Sequence, residues 1–346
     1  MIRLYVTGRH ARRTPLSYAA LWPLFDGQIT HVTDPRQADL YVFAHVQDIQ
    51  QAPREMVEDW RQRRRPVVLL SEEPFWDTIW GKQPLAPMLY VDTAFGALPV
   101  RQLNHHTCNI FRFDRIPYYL LTHHRFANAY GHRFARNAAL GIRDWQDRLA
   151  AARVDIGFMF ERRPEPHHDV TWPEGDIIGL CAWRTRLAEA CRDTDVQRWG
   201  RSWGNGLSRF DLETDWHLDK LVRLDGACRI LGAIENTHQP DYITEKLFDA
   251  FACGSVPVYH ASPGHRIHDL GLPADSWVNL YGLTAEAAAA QIEAIRPTRT
   301  MAAALAHAQQ HLHSWLGDPA LWQAERQRLG RAVLAALEQV LNLERD

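Results

Sequence analysis

Residues 234–257 read IENTHQPDYITEKLFDAFACGSVP, and the order of residue types along this stretch dictates the fold. An apolar strand ends at Ile234. Glu235, Asn236 and Thr237 follow on the loop at its C-terminal end. Asp241 is a good N-cap, which starts a helix there and brings Tyr242, Glu245 and Lys246 into its first turns. Tyr242 and Lys246 then share a face through i,i+4 spacing. Leu247, Ala250 and Phe251 face the core, Gly254 ends the helix as a C′ glycine, and the next strand starts at Ser255. A strand, a loop rich in polar groups, a helix and another strand form the repeating unit of an α/β layer fold with a mainly parallel sheet.

The same pattern extends outward in both directions. Upstream, short apolar runs at 2–6, 40–44, 67–70, 88–91 and 109–113 read as buried strands, with a basic helix over 54–65. A polar helical stretch at 143–153 closes this half, and the domain boundary is set near residue 152. The pattern then restarts: strand at 154–160, helix at 184–191, strand at 196–199, helix at 218–224, strand at 229–234, the helix above, strand at 256–259 and a last short strand at 277–280. The expected domains are 1–152 and 153–320, followed by a packing helix over 321–346 whose Leu329, Val333, Ala336, Leu337, Val340 and Leu341 share one face. Two α/β halves in succession place a ligand cleft between them, at strand C-termini. The expected fold class is α/β, with two Rossmann-like domains facing a cleft.

A helix N-terminus offers free N–H groups and the positive end of a dipole. With Lys246 beside it, this is a diphosphate site. Glu245 does not favour a phosphate; a carboxylate in that position suits two adjacent hydroxyls, as on a ribose. The segment therefore points to a nucleotide diphosphate ligand, although Glu245 and Lys246 could also form a plain surface pair.

Bulk properties are those of a soluble globular protein. The chain has 346 residues and a formal net charge of −2, which argues against a nucleic-acid role and allows at most peripheral membrane association. Arginine supplies nearly all the basic charge; the only lysines are Lys82, Lys220 and Lys246, so each lysine draws notice as a compact point charge. The five cysteines form no CxxC pair and read as small core residues in a reducing compartment. With no secretory signal at the start, the expectation is a bacterial protein, cytoplasmic or at the cytoplasmic face of the membrane. The histidine pairs 105–106, 123–124 and 167–168 lack metal-ligand spacing and read as loop and surface residues, and no obligatory metal is expected. WGRSWGNG at 199–206 lacks Walker spacing and reads as a turn that shapes a pocket.

ENTHQPDYITEKLFDAFACGSVPV resembles the signature of the α-1,3/1,4-fucosyltransferases, glycosyltransferase family 10, in one register over more than twenty positions. SWVNL at 276–280, RTRLAEAC at 184–191 and WGRS at 199–202 extend the resemblance. SEEPFW at 71–76 and FDRIPYY at 113–119 extend it more loosely upstream. The resemblance implies a glycosyltransferase B-type fold with the acceptor on the N-terminal domain and GDP-fucose, the donor substrate, on the C-terminal one. It implies an inverting transfer of fucose to a glycan hydroxyl, such as α-1,3 on N-acetylglucosamine or glucose, in glycan biosynthesis or protein glycosylation. Lys246, Arg184 and Tyr242 would contact the diphosphate, Glu245 the ribose, and Asn236 would line the donor site. Glu72 would be the general base. The family pattern has serine where this chain has Glu73, so Glu73 stays open as the base. Arg186 likewise competes with Arg184. Trp76, following Glu72, is the candidate for stacking on an acceptor sugar. A transferase using another nucleotide sugar, or a silent glycan-binding relative, are the alternatives.

Overall fold

In a computed structural model, which describes residues 1–204 and 215–343, the chain divides into two α/β units. The first comprises residues 1–124 together with 323 onward, and the second residues 125–322. The first unit contains β1 (Ile2–Val6), β2 (Ile29–His31), β3 (Leu40–Phe43), α1 (Val46–Gln50), α2 (Arg54–Arg63), β4 (Val67–Leu70), α3 (Pro74–Trp76), β5 (Met88–Thr93), β6 (Gly96–Leu103) and α4 (Tyr118–Leu121). Its six-stranded sheet runs β2-β1-β3-β4-β6-β5, parallel except for β5, which pairs antiparallel with β6. LYVF in β3 and VVLL in β4 are buried at every residue, as central parallel strands must be. The strand expected at 109–113 does not form. Ile110, Phe111 and Phe113 are buried in irregular chain, and the sheet position belongs to β6. Pro99 lies inside β6, which disguised that strand.

The second unit contains α5 (His124–Ala138), α6 (Ile142–Ala150), β7 (Val154–Met159), β8 (Thr171–Trp172), β9 (Ile177–Gly179), α7 (Cys181–Ala190), β10 (Val196–Trp199), α8 (Trp216–Leu224), β11 (Cys228–Gly232), β12 (Thr237–His238), α9 (Glu245–Ala252), β13 (Val256–Tyr259), β14 (Val278–Asn279), α10 (Ala285–Glu293) and α11 (Arg299–Leu316). Its five strands run β10-β7-β11-β13-β14, all parallel. β12, β9 and β8 form a small antiparallel sheet beside it. Both units are Rossmann-like.

The division falls at residue 125, not near 152, because α5 and α6 pack on the second unit. Phe126, Tyr130 and Phe134, spaced for one helical face, are all buried. The Tyr130 hydroxyl donates to Asp249 Oδ1 at 2.8 Å, and Asn137 Nδ2 donates to Ala252 O at 3.1 Å. The last helix, α12 (Pro319–Leu343), buries Leu329, Val333, Leu337 and Val340, four of the residues expected on its packing face. From Gln323 on it belongs to the first unit. There, Glu325 Oε1 accepts the backbone N–H groups of Asp114, Arg115 and Ile116 at 3.0, 2.5 and 3.2 Å.

Candidate active site

In the second unit the strand order reverses between β7 and β11, so the loops leaving these two strands diverge and open a crevice at their C-terminal ends. Phe160 follows β7; Ile234 and Glu235 follow β11. Arg184, in the first turn of α7, lies across both loops. Its guanidinium carbon sits 4.7 Å from the centre of the Phe160 ring, and Nη1 donates to Ile234 O at 3.1 Å. Among the described residues its Nε has no partner. Arg186 is exposed and pairs with Asp169 at 3.1 Å, which leaves Arg184 as the arginine of this crevice.

The helix after β11 starts later than its local sequence implies. Asp241 does not cap it, and Tyr242 is not in it. Residues 240–241 form a turn closed by the Tyr242 N–H donating to Gln239 O at 3.1 Å, and α9 begins at Glu245. A residue distant in sequence supplies the cap. Glu235 Oε1 accepts the Thr244 N–H at 2.8 Å, and its carboxylate also accepts the Thr244 hydroxyl. The i,i+4 pairing of Tyr242 with Lys246 is therefore lost; Tyr242 is buried in the turn. Gly254 does close the helix with a positive φ, and a Cβ there would collide with the Arg148 guanidinium.

Lys246 Nζ lies 2.8 Å from Glu235 Oε2, 2.9 Å from Thr244 Oγ1 and 3.7 Å from Glu245 Oε1. Its side chain keeps 21% of its exposure, whereas that of Glu235 keeps 2%. Burial works against the charge on Lys246, but Glu235 and Glu245 outweigh it and raise the ammonium above its ordinary value. Burial raises Glu235, and Lys246 resists the rise. Glu245 is buried too, yet Lys246 and Lys220 hold it below the usual carboxylate range. Its Oε2 has no partner among the described residues. Asn236 is half-buried beside this group, its carbonyl accepting the Leu180 N–H at 2.8 Å. Arg184, Asn236, Glu245 and Lys246 thus gather at one end of one sheet, with Tyr242 in the adjoining turn. Such an end can take an anion between Arg184 and Lys246 and hydroxyls at Glu245.

In the first unit Glu72 follows β4 and is 3% exposed. Oε1 accepts from Arg13 Nε at 2.5 Å and from the Tyr18 hydroxyl at 2.7 Å; Oε2 accepts from the Tyr118 hydroxyl at 2.6 Å. Burial and the Glu72 charge raise both phenols, so they stay protonated donors. Glu73 is half-buried, with Oε2 3.4 Å from Arg13 Nη2. Trp76 is half-buried under Arg13, 5.0 Å from its ring centre, and against His10 and His45. His105, expected at the surface, is instead buried. Stacked on Phe111 at 4.3 Å, it lies 3.1 Å from Glu72 O, and burial pushes it down to about 3. His168 is buried as well.

Sequence reasoning passed over Arg13 and Tyr18, which come from a loop with no motif, and Glu235, whose capping bonds span nine residues. Lys220 carried a signal in its rarity. Of WGRSWGNG, Trp199 ends β10 and residues 200–204 turn, Gly200 (φ +125°) bringing the chain against Phe160 O, while 205–206 lie outside the described residues. Among the described residues no group of three or more His, Cys, Asp or Glu side chains is arranged to hold a metal ion, and no helix is long and apolar enough to cross a membrane.

The segment that carries these residues also resembles known proteins. Residues 184–301 match the family described as glycosyltransferase family 10 (fucosyltransferase), C-terminal part. The match covers about a third of the chain. The matched segment begins at Arg184 and includes Asn236, Tyr242, Glu245 and Lys246. Over 92 residues the chain is 28% identical to 4-galactosyl-N-acetylglucosaminide 3-alpha-L-fucosyltransferase 9 of Cricetulus griseus and 30% identical to that of Homo sapiens. These stretches cover 27% of this chain and 23% of the length of the relatives. Among solved structures, an α1,3-fucosyltransferase with GDP-fucose overlays on 98% of this chain and 90% of its own at 13% identity, with a TM-score of 0.43. Anabaena Alr3699/HepE in complex with UDP-glucose does so over 87% and 79% at 13% identity, with a TM-score of 0.40.

Proposed function

We propose that this protein is an inverting fucosyltransferase that moves fucose from GDP-fucose to a hydroxyl of a glycan acceptor. The observation that carries the reading is the meeting of Arg184, Lys246 and Glu245 at the strand-order reversal, within the segment that matches family 10. In this reading the diphosphate lies between Arg184 and Lys246, with Tyr242 and Asn236 at its margin, and the ribose hydroxyls reach Glu245. Lys246 exchanges Glu235 for phosphate oxygens when the donor enters. The two cations neutralise the charge that grows on the departing GDP, an electrostatic contribution worth about 10²–10³ in rate per donor group.

Glu72 acts as the base. As the acceptor oxygen attacks the anomeric carbon, its proton passes to Glu72 and the bond to GDP breaks on the opposite face. Arg13, Tyr18 and Tyr118 hold the carboxylate in place, and the acceptor hydroxyl replaces one of these donors. Trp76 offers a ring for the acceptor sugar. The five cysteines, none of them in a disulfide, support a reducing, cytoplasmic setting.

The test is a melting screen with GDP, UDP and ADP, followed by mass spectrometry of products from GDP-fucose and a panel of galactose, glucose and N-acetylglucosamine acceptors. Stabilisation by GDP alone and a gain of one deoxyhexose on an acceptor are expected. Stabilisation by UDP but not GDP would move the donor to another nucleotide sugar; no transfer from any donor would leave a glycan-binding protein.

A further inference from the structure

The third lysine of the chain's small set, Lys220, lies behind the donor-site helix and has no role in the reading above. Glu245 and Asp249 are i,i+4 on α9, both buried, and two like charges at that spacing repel. Lys220, reaching in from α8, places Nζ 2.8 Å from Asp249 Oδ2. Asp249 Oδ1 is held by His217 Nε2 at 2.8 Å and by the Tyr130 hydroxyl at 2.8 Å. The side chain of Asp249 has no exposure and that of Lys220 only 10%. Such a buried cation is retained only where a carboxylate compensates it; here Asp249 does so, with Glu245 one turn before it on the same helix.

We propose that Lys220 is a positioning residue for nucleotide binding: paired with Asp249 behind the helix, it offsets the repulsion between Asp249 and Glu245 one turn away, so that Glu245 is held toward the ribose and Lys246 stays available to the diphosphate. The proposal rests on the donor-site reading above. Without Lys220, α9 would present two buried carboxylates against Lys246 alone, with Glu235 already drawing on that lysine. The groups facing Glu245 are Lys246 and Asp249 on its own helix, Lys220 and His217 on α8, Tyr130 on α5, Glu235 after β11 and Tyr259 at the end of β13. Removing Lys220 takes away the strongest cationic influence on Glu245 after Lys246. The Glu245 proton is then held to a higher pH, and the ribose contact weakens on the acid side.

The experiment measures GDP affinity by titration calorimetry from pH 6 to 8.5 in the wild type, Lys220→Met and Lys220→Arg, alongside a carbon-13 carboxyl titration of Glu245 in the free proteins. The expected result is a Lys220→Met affinity about tenfold weaker at pH 6 than at pH 8.5, a Glu245 titration moved upward, and near-wild-type behaviour in Lys220→Arg. Should Lys220→Met not fold, Lys220→Gln keeps a hydrogen-bonding side chain beside Asp249 without the charge, and the same acid-side weakening is expected. Unchanged affinity, or a loss equal at every pH with Glu245 titrating as before, overturns the role of Lys220. A wild type that binds no GDP overturns the donor reading itself, and is seen before any variant is made.

Discussion

Replacing Lys246 by alanine separates the stability of the donor site from its function. The lysine neutralises Glu235, whose side chain is only 2% exposed, across 2.8 Å. Breaking a buried pair by removing one partner costs about 3–5 kcal/mol. The 21% exposure of the Lys246 side chain puts this one at the lower end, about 3 kcal/mol, because solvent screens part of the interaction. In a unit of about two hundred residues, each kcal/mol moves Tm by about 2–4 °C, so Lys246→Ala lowers the transition of the second unit by about 6–12 °C. In the proposed reading it also removes a charge-assisted contact to the diphosphate, about 1.5–3 kcal/mol, which is about 10- to 150-fold in Kd for GDP. A second change distinguishes the two effects. In Lys246→Ala/Glu235→Gln the buried charge is gone, while the glutamine oxygen still accepts the Thr244 N–H. Calorimetry should show most of the lost Tm restored, and titration should show GDP affinity still lost. Recovery of affinity in the double variant would refute the placement of Lys246 at the phosphates. An unchanged Tm in the single variant would refute the ion-pair argument.

Three further outcomes are expected. Glu72→Gln lowers fucosyl transfer by about 10²–10⁴ with GDP affinity unchanged, whereas Glu73→Gln, 3.4 Å from Arg13, stays within about tenfold; the reverse ranking, read from initial rates, moves the base to Glu73. Tyr118→Phe removes one of three donors to the buried Glu72 carboxylate and destabilises the first unit by about 1.5–3 kcal/mol in urea unfolding; a change under about 0.5 kcal/mol contradicts that bond. Asp77 is fully buried, and burial raises it to about 8. The folded chain therefore keeps a proton that the unfolded chain releases near pH 4. The stability this contributes is complete below that pH and is lost as pH rises to about 8. Asp77→Asn should match the wild type at pH 4 and exceed it at pH 8 by at least about 1.4 kcal/mol, one pKa unit's worth; equal stabilities at pH 8 would show that Asp77 is ionised in the fold.

The α/β pattern was legible because the parallel strands are short, apolar and bounded by helical periodicity; β3, β4, β7 and β13 lie where their residues place them. β6 was not legible, since GALPVRQL contains Pro99, Arg101 and Gln102 and lacks the continuous apolar run of a central strand. The start of α9 was misplaced because local rules favour Asp241 as a cap, whereas the buried Glu235 carboxylate, nine residues before Thr244, takes that role. Asn236, Glu245 and Lys246 were nameable together because they lie within a dozen positions, whereas Arg184 joins them from fifty residues upstream. Arg13, Tyr18 and Tyr118 reach Glu72 from 59, 54 and 46 positions away, and no spacing rule reports such convergence.

The helix that carries Glu325 gives the chain a nested order. The backbone of residues 114–116 finishes its hydrogen bonding only when Glu325 arrives, more than two hundred residues later. The segment that completes the first unit is thus synthesised after the whole of the second, so the half of the chain made first is the last to receive all of its residues.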